Sequence, residues 1–186
     1  MRAFIAIHPS DEIVQRLAAL RAELEPDLPD SAVRWSDQIH LTTQFLGNID
    51  DVRVQDYARA IRKACAETKS FTLCCSGIGC FPSPRHARVI WAGLKAETEL
   101  LTSLKGTLDE SLAGLGYVPE KRAFKPHLTI ARVRQFTGRQ RQRMPQIVQH
   151  FRDTVFGEWR VDRVEFMESR LSPKGAQYKV LECVEL

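Results

Sequence analysis

Apolar residues recur along the chain in two rhythms. Phe4 Ile5 Ala6 Ile7 is a short apolar run bounded by Pro9, long enough for a buried strand and too short for a helix. The spacing then turns helical. Ser10 stands at a capping position, Asp11 and Glu12 fall in the first turn, and Ile13, Val14, Leu17, Leu20 and Leu24 repeat every three to four residues until Pro26. A turn-rich connector over 27–31 leads into Val33 Arg34 Trp35, which reads as extended. Residues 40–46 alternate as a strand closed by Gly47 and Asn48. Alternation sets His40, Thr42 and Gln44 on one face and Leu41, Thr43 and Phe45 on the other, unless a bulge re-aims the later members. Val54, Tyr57, Ala58, Ile61 and Ala64 mark a second helix over 52–68.

Residues 71–75 and 89–92 predict strands, and the Gly, Pro and Arg content of 77–88 predicts an exposed loop between them. Leu100, Leu101, Leu104, Leu108 and Leu112 predict a third helix over 97–112, ended by Gly114 and Gly116. Lys121, Arg122 and Lys125 lie in a loop whose last residue, Pro126, biases 127–133 toward extended geometry. Residues 147–151 fit a short helix or a strand, and 159–167 alternate as one strand. Ser172 Pro173 Lys174 Gly175 is a hairpin turn before a final strand over 178–184. Helices and strands are mixed without strict βαβ alternation, which favours an α+β fold on antiparallel sheets over a doubly wound one. No GxGxxG or P-loop signature occurs.

With 186 residues the chain can bury the core of one sizeable domain or of two interdependent lobes. No stretch approaches the roughly 18 apolar residues of a membrane span. The N-terminus meets Pro9 and two acids before a signal-peptide core can form, so the expected location is the cytoplasm. A net charge of +4 permits a polyanionic ligand without requiring one. Its densest source is Arg132, Arg134, Arg139, Arg141 and Arg143, interleaved with glutamines. That run fits either a solvated surface loop or a basic patch beside a site. The five cysteines are odd in number and form no CxxC pair, and Cys74 and Cys75 would point to opposite strand faces. They read as small packing residues in a reducing compartment. Zinc is disfavoured, because His86 is the one imidazole near them and no partner lies at ligand spacing.

One phrase is spelled twice. Ile39 His40 Leu41 Thr42 returns as Pro126 His127 Leu128 Thr129, 87 positions on (127 minus 40). On a strand each copy shows an imidazole and a hydroxyl on one face, with a leucine behind. A single such histidine is more often structural than catalytic; two copies with the same spacing leave both readings open. Imidazoles with an ordinary pKa of about 6.5 can divide into a general acid and a general base, each worth about 10²- to 10⁴-fold in rate. Threonine hydroxyls can donate to non-bridging phosphoryl oxygens. No carboxylate cluster or His-x-x-x-His pair points to a metal, so the set suits metal-free phosphoryl transfer on a cyclic phosphodiester.

With their surroundings the phrases resemble a known family. Arg34 Trp35 with His40 to Gly47, and Phe124 Lys125 Pro126 His127 Leu128 Thr129 Ile130 Ala131 Arg132, are similar to the two motifs of the two-histidine (2H) phosphoesterases. Within that superfamily the likeness is to the RNA 2′,3′-cyclic phosphodiesterases, also described as 2′-5′ RNA ligases. The opening strand from Arg2 to Ile7, Phe81 Pro82, Val89 to Gly93 and the ending from Ser169 to Leu186 with its Gly175 Ala176 Gln177 Tyr178 extend it over essentially the whole chain.

The resemblance implies one bilobal domain over 1–186, with two pseudo-symmetric lobes of antiparallel sheet, outer helices and a central cleft. It implies His40 as the acid for the leaving 3′ oxygen, His127 as the base that activates water, and Thr42 and Thr129 as phosphate ligands. Arg132 would assist if a bulge or strand end turned it to the histidine face. Phe45 would stack on a base or pack in the core. The implied partner is an RNA or oligonucleotide end bearing a 2′,3′-cyclic phosphate, with no cofactor, no membrane and a monomeric protein. A 2′-5′ oligonucleotide or another small cyclic phosphate is the alternative substrate, and a non-catalytic RNA- or nucleotide-binding module the alternative class. Three positions depart from the family pattern: Lys125 stands where arginine is common, and His8 Pro9 replaces a usually acidic or apolar pair.

Overall fold

Strand alternation resolves into two antiparallel sheets in the computed structural model, which describes residues 1–172 and 175–186. The strands are β1 (Arg2–Ile7), β2 (Val33–Trp35), β3 (Leu41–Asn48), β4 (Phe71–Phe81), β5 (Val89–Ala96), β6 (His127–Val133), β7 (Val155–Val161), β8 (Arg163–Ser172) and β9 (Gly175–Glu185). The first sheet has the order β3-β1-β8-β9 and the second β2-β6-β5-β4-β7. The helices are α1 (Asp11–Leu24), α2 (Val54–Cys65), α3 (Thr98–Ala113) and α4 (Gly138–His150). The α+β class and antiparallel pairing follow the sequence expectation.

Each helix forms because its apolar stripe has a sheet or a second helix to cover. Ile13, Leu17, Leu20 and Leu24 are the buried stripe of α1, and Ser10 Oγ accepts from the Ile13 amide to cap it. Leu101, Leu104, Leu108 and Leu112 are the corresponding stripe of α3. Val14 and Leu100, placed on these stripes by spacing, face outward instead. Helices α2 and α3 pack together over the first sheet, reaching β9 and β3, while α1 lies on β7 and α4 on β4. One buried apolar cluster takes in both sheets and all four helices. A smaller one, Phe4, Ala6 and Met167 with Tyr178 against it, lies on the other face of the first sheet. Among the described residues no helix is long and apolar enough to cross a membrane.

Three local readings are corrected. The stretch 77–88 is not all loop, because β4 runs on to Phe81 through a bulge where Gly77 takes φ +70°. Its glycines are in-strand features: a Cβ at Gly79 would stand 2.1 Å from the Trp91 ring, so the ring requires glycine beneath it. The arginine and glutamine run is not a surface loop. It enters α4, started by a capping box in which Thr137 Oγ1 accepts from the Gln140 amide and Gln140 Oε1 accepts from the Thr137 amide. Of the two expectations for 147–151 the helix holds, since 147–150 end α4 and Phe151 is its C-cap. The alternation over 159–167 is two strands in different sheets, broken at Asp162. The hairpin tip at Pro173 and Lys174 lies outside the described residues, while β8 and β9 pair up to Ser172 and Gly175.

Candidate active site

Both phrases take the same local shape. His40 stands just before β3, and its Nδ1–H donates to the Gln38 carbonyl at 3.0 Å; His127 opens β6, and its Nδ1–H donates to the Lys125 carbonyl at 2.7 Å. A carbonyl only accepts, so in each ring the proton sits on Nδ1 and Nε2 is left for chemistry. Leu41 and Leu128 are fully buried behind the rings, and Thr42 and Thr129 stay half-exposed.

A bulge then re-phases each strand at the same position. In β3, Ala6 pairs Thr42 and Ile5 pairs Gln44, so Thr43 is the extra residue; its Oγ1 donates to the Ile5 carbonyl. In β6, Trp91 pairs Thr129 and Ile90 pairs Ala131, so Ile130 is extra. Directly paired residues of an antiparallel ladder share a face. Gln44 therefore swings into the interior with Ile5, and Phe45 swings out with Phe4 on the face of Thr42. Ala131 likewise goes inward, and Arg132 joins Val89, Trp91, Thr129 and His127. Strict alternation had set Phe45 and Arg132 on the wrong faces; the bulges return both to the histidine side. Phe45 is 54% exposed, which removes the core-packing reading. Arg34, opposite Arg132 in β2, is exposed beside it.

Each imidazole leans on two aromatic rings. His40 lies 5.1 Å from Phe4 and 5.1 Å from Tyr178, measured between ring centroids, with Tyr178 edge-on. His127 lies 5.0 Å from Phe81, edge-on, and 6.3 Å from Trp91. Burial among these rings lowers the pKa of both histidines, since a desolvated imidazolium loses its hydration. His40 is pushed down to about 4 by burial, by His8 and by Arg132, against the Gln38 carbonyl, which raises it. His127 is lowered by burial and by Arg132, against the Lys125 carbonyl. One guanidinium thus acts on both rings, which puts Arg132 within electrostatic reach of each as β3 and β6 approach one another.

A third histidine, noted in the sequence only as a departure from the family pattern, stands beside His40. His8 follows β1 on the face of Phe4 and Ala6, 5.8 Å from His40 between ring centroids. Its Nδ1 is 3.2 Å from Glu165 Oε2, an electrostatic contact without hydrogen-bond geometry. Period-two alternation from Phe4 was the signal that could have found it. Phe81 fell in the stretch 77–88 expected to be a loop, and Trp91, on the expected strand 89–92, was not tied to the histidines. Three of the five cysteines behave as packing residues: burial lifts Cys65 to about 11 and Cys75 and Cys80 to about 12, whereas Cys74 is half-buried and Cys183 is exposed.

A family model described as LigT like Phosphoesterase matches this chain twice, over residues 7–91 and 93–178, one phrase in each match. The chain belongs to the LigT-like phosphoesterases. Among curated relatives of this LigT-like chain, an RNA 2′,3′-cyclic phosphodiesterase of Archaeoglobus fulgidus is 32% identical over 185 residues, covering 100% of both chains. One of Methanothermobacter thermautotrophicus is 27% identical, covering 100% of this chain and 99% of the relative. A crystal structure of a Thermus thermophilus protein superposes with a TM-score of 0.83 at 28% identity, covering 100% of this chain and 98% of that one. E. coli LigT complexed with 3′-AMP shares the fold at a TM-score of 0.79 and 23% identity, with 100% and 97% covered.

Proposed function

We propose that this LigT-like phosphoesterase hydrolyses RNA 2′,3′-cyclic phosphodiester ends to 2′-phosphomonoesters without a metal ion. His40 protonates the leaving 3′ oxygen and His127 takes the proton of the attacking water. Thr42 and Thr129 donate to the non-bridging oxygens, Arg132 balances the charge that gathers there, and Phe45 stacks on the base. The relatives named RNA 2′,3′-cyclic phosphodiesterase support the substrate, and the observation that carries the mechanism is the matched pair of imidazoles, each tied through Nδ1 to a carbonyl two residues back so that Nε2 is left for proton transfer. Among the described residues no three His, Cys, Asp or Glu side chains are grouped to hold a metal ion. We take residues 1–186 to act as one bilobal unit and as a monomer; five free thiols suit a reducing cytoplasm.

The lowered pKa values add a condition. At neutral pH both rings are neutral in the free protein, so the acid acquires its proton with the substrate, whose phosphodiester anion offsets Arg132 and favours an imidazolium beside it. The value of about 4 at His40 favours one second reading, in which His40 is the base and His127 the acid. A short RNA ending in 2′,3′-cyclic phosphate, with the product position mapped, tests the activity. We expect a 2′-phosphate, a bell-shaped pH profile, no loss with EDTA, and a decrease of about 10²- to 10⁴-fold in kcat for His40→Ala and for His127→Ala. A substrate with sulfur in place of the 3′ oxygen needs no acid for its leaving group, so it restores His40→Ala alone. Rescue of His127→Ala would reverse the two roles, and affinity for RNA with no turnover would leave only a binding module.

A further inference from the structure

A groove of about 390 Å³ opens on the second sheet directly beside His127. Its apolar walls are Trp91, Phe124 and Pro126, and its charged residues are Lys95, Lys125 and Arg152, with no acid among the lining residues. The groove is continuous with the reaction site: Gly93, on its floor, pairs with His127, and the Lys125 carbonyl holds the His127 ring. Lys95, Lys125 and Arg152 are exposed and form no ion pair among the described residues, so their charge is directed outward. Ser76 and Trp91 line the same space, and their Oγ and Nε1 atoms are buried with no hydrogen-bond partner among the described residues. The volume is within the range of small-ligand sites, and aromatic faces combined with unpaired cations are what a single-stranded nucleotide requires.

We propose that this groove takes the nucleotide adjoining the cyclic phosphate of an oligoribonucleotide, its base against Trp91 and Phe124 and its phosphodiester on Lys95, Lys125 and Arg152. The inference rests on the proposed function and makes the protein selective for strand ends over free cyclic mononucleotides. Neither Lys95 nor Arg152 is among the groups assigned to proton transfer or to the cyclic phosphate, so Lys95→Ala/Arg152→Ala separates the groove from the chemistry. Uridine 2′,3′-cyclic phosphate and a trinucleotide ending in 2′,3′-cyclic phosphate are the probes.

The wild-type protein is expected to show the higher kcat/KM on the trinucleotide. The double variant should lose about tenfold of it through KM, on the order of one to two lost phosphate contacts, with uridine 2′,3′-cyclic phosphate unaffected. The log–log salt dependence of trinucleotide KM should become shallower by about 0.7 for each contact removed. Equal wild-type kcat/KM on the two probes, or an equal loss on both in the variant, overturns the groove and leaves the proposed function intact. If the wild-type protein turns over neither probe, the proposed function fails and binding of a 3′-phosphorylated trinucleotide decides the groove. Weaker binding by the variant then sustains it, and unchanged binding overturns it.

Discussion

Gln44 and Phe45 are neighbours on a strand with opposite environments, 1% and 54% exposed, and Thr43, the extra residue of a bulge, decides that the amide is the one inside. Buried Gln44 donates its Nε2 at 3.0 Å to the Lys105 carbonyl and at 3.0 Å to Asp109 Oδ1, tying β3 to α3. Asp109 also holds Lys105 at 2.6 Å, so the amide belongs to a polar network under the sheet. Removing it strands partners in a desolvated place, and Gln44→Ala is expected to cost about 1–3 kcal/mol in chemical denaturation. Phe45→Ala should leave the denaturation midpoint unchanged and raise KM for an RNA end, since its ring touches solvent and not core. A loss of stability at Phe45 equal to that at Gln44 would contradict the bulge. Hydrophobic patterning does not disclose this inversion, because a bulge is a backbone event and the residues around it carry no glycine or proline to mark it.

Elements were legible in the sequence where one physical signal dominated. The Ser10 cap, the leucine stripe and Pro26 bound α1, and Pro126 and the alternation after it bound β6. The signals failed where two competed. Gly77 and Gly79 look like loop residues, yet one serves a bulge and the other makes room for Trp91. Helix α4 was concealed by its charges and by Pro145 within it, and it buries only Met144 and Ile147. With so narrow an apolar stripe the helix depends on its ends, and the capping box at Thr137 and Gln140 satisfies donors that would otherwise be left open. Thr137→Ala is therefore expected to lower stability by about 1 kcal/mol, read from the urea midpoint at constant m, while Thr137→Ser restores most of it. No change in the alanine variant would mean that α4 is held by its packing on β4 alone.

Across the whole molecule the two family matches correspond to two half-sites built alike, each with an imidazole tied to a carbonyl two residues back, a buried leucine, a threonine, a bulge and two aromatic rings. The repeat was visible in the sequence, whereas its asymmetry lies in what the fold gathers around each ring. His40 has His8 and Arg132 near it, and His127 has Arg132 alone among the causes that lower it electrostatically. That asymmetry has a thermodynamic consequence. In the unfolded chain both histidines titrate near about 6.5, and in the folded chain His40 waits until about 4 and His127 is also lowered. As pH falls below about 6.5 the unfolded state takes up these protons first, so the stability contributed above that pH is lost progressively down to about 4. Each group adds a slope of at most about 1.4 kcal/mol per pH unit, less for whatever solvent reaches the ring. Denaturant unfolding at pH 7, 6 and 5 should show stability declining with pH in the wild-type protein. His40→Gln, which keeps a polar side chain and removes the titration, should flatten the decline, most clearly between pH 6 and 5. Parallel curves for the two proteins would mean that burial of His40 is not coupled to folding.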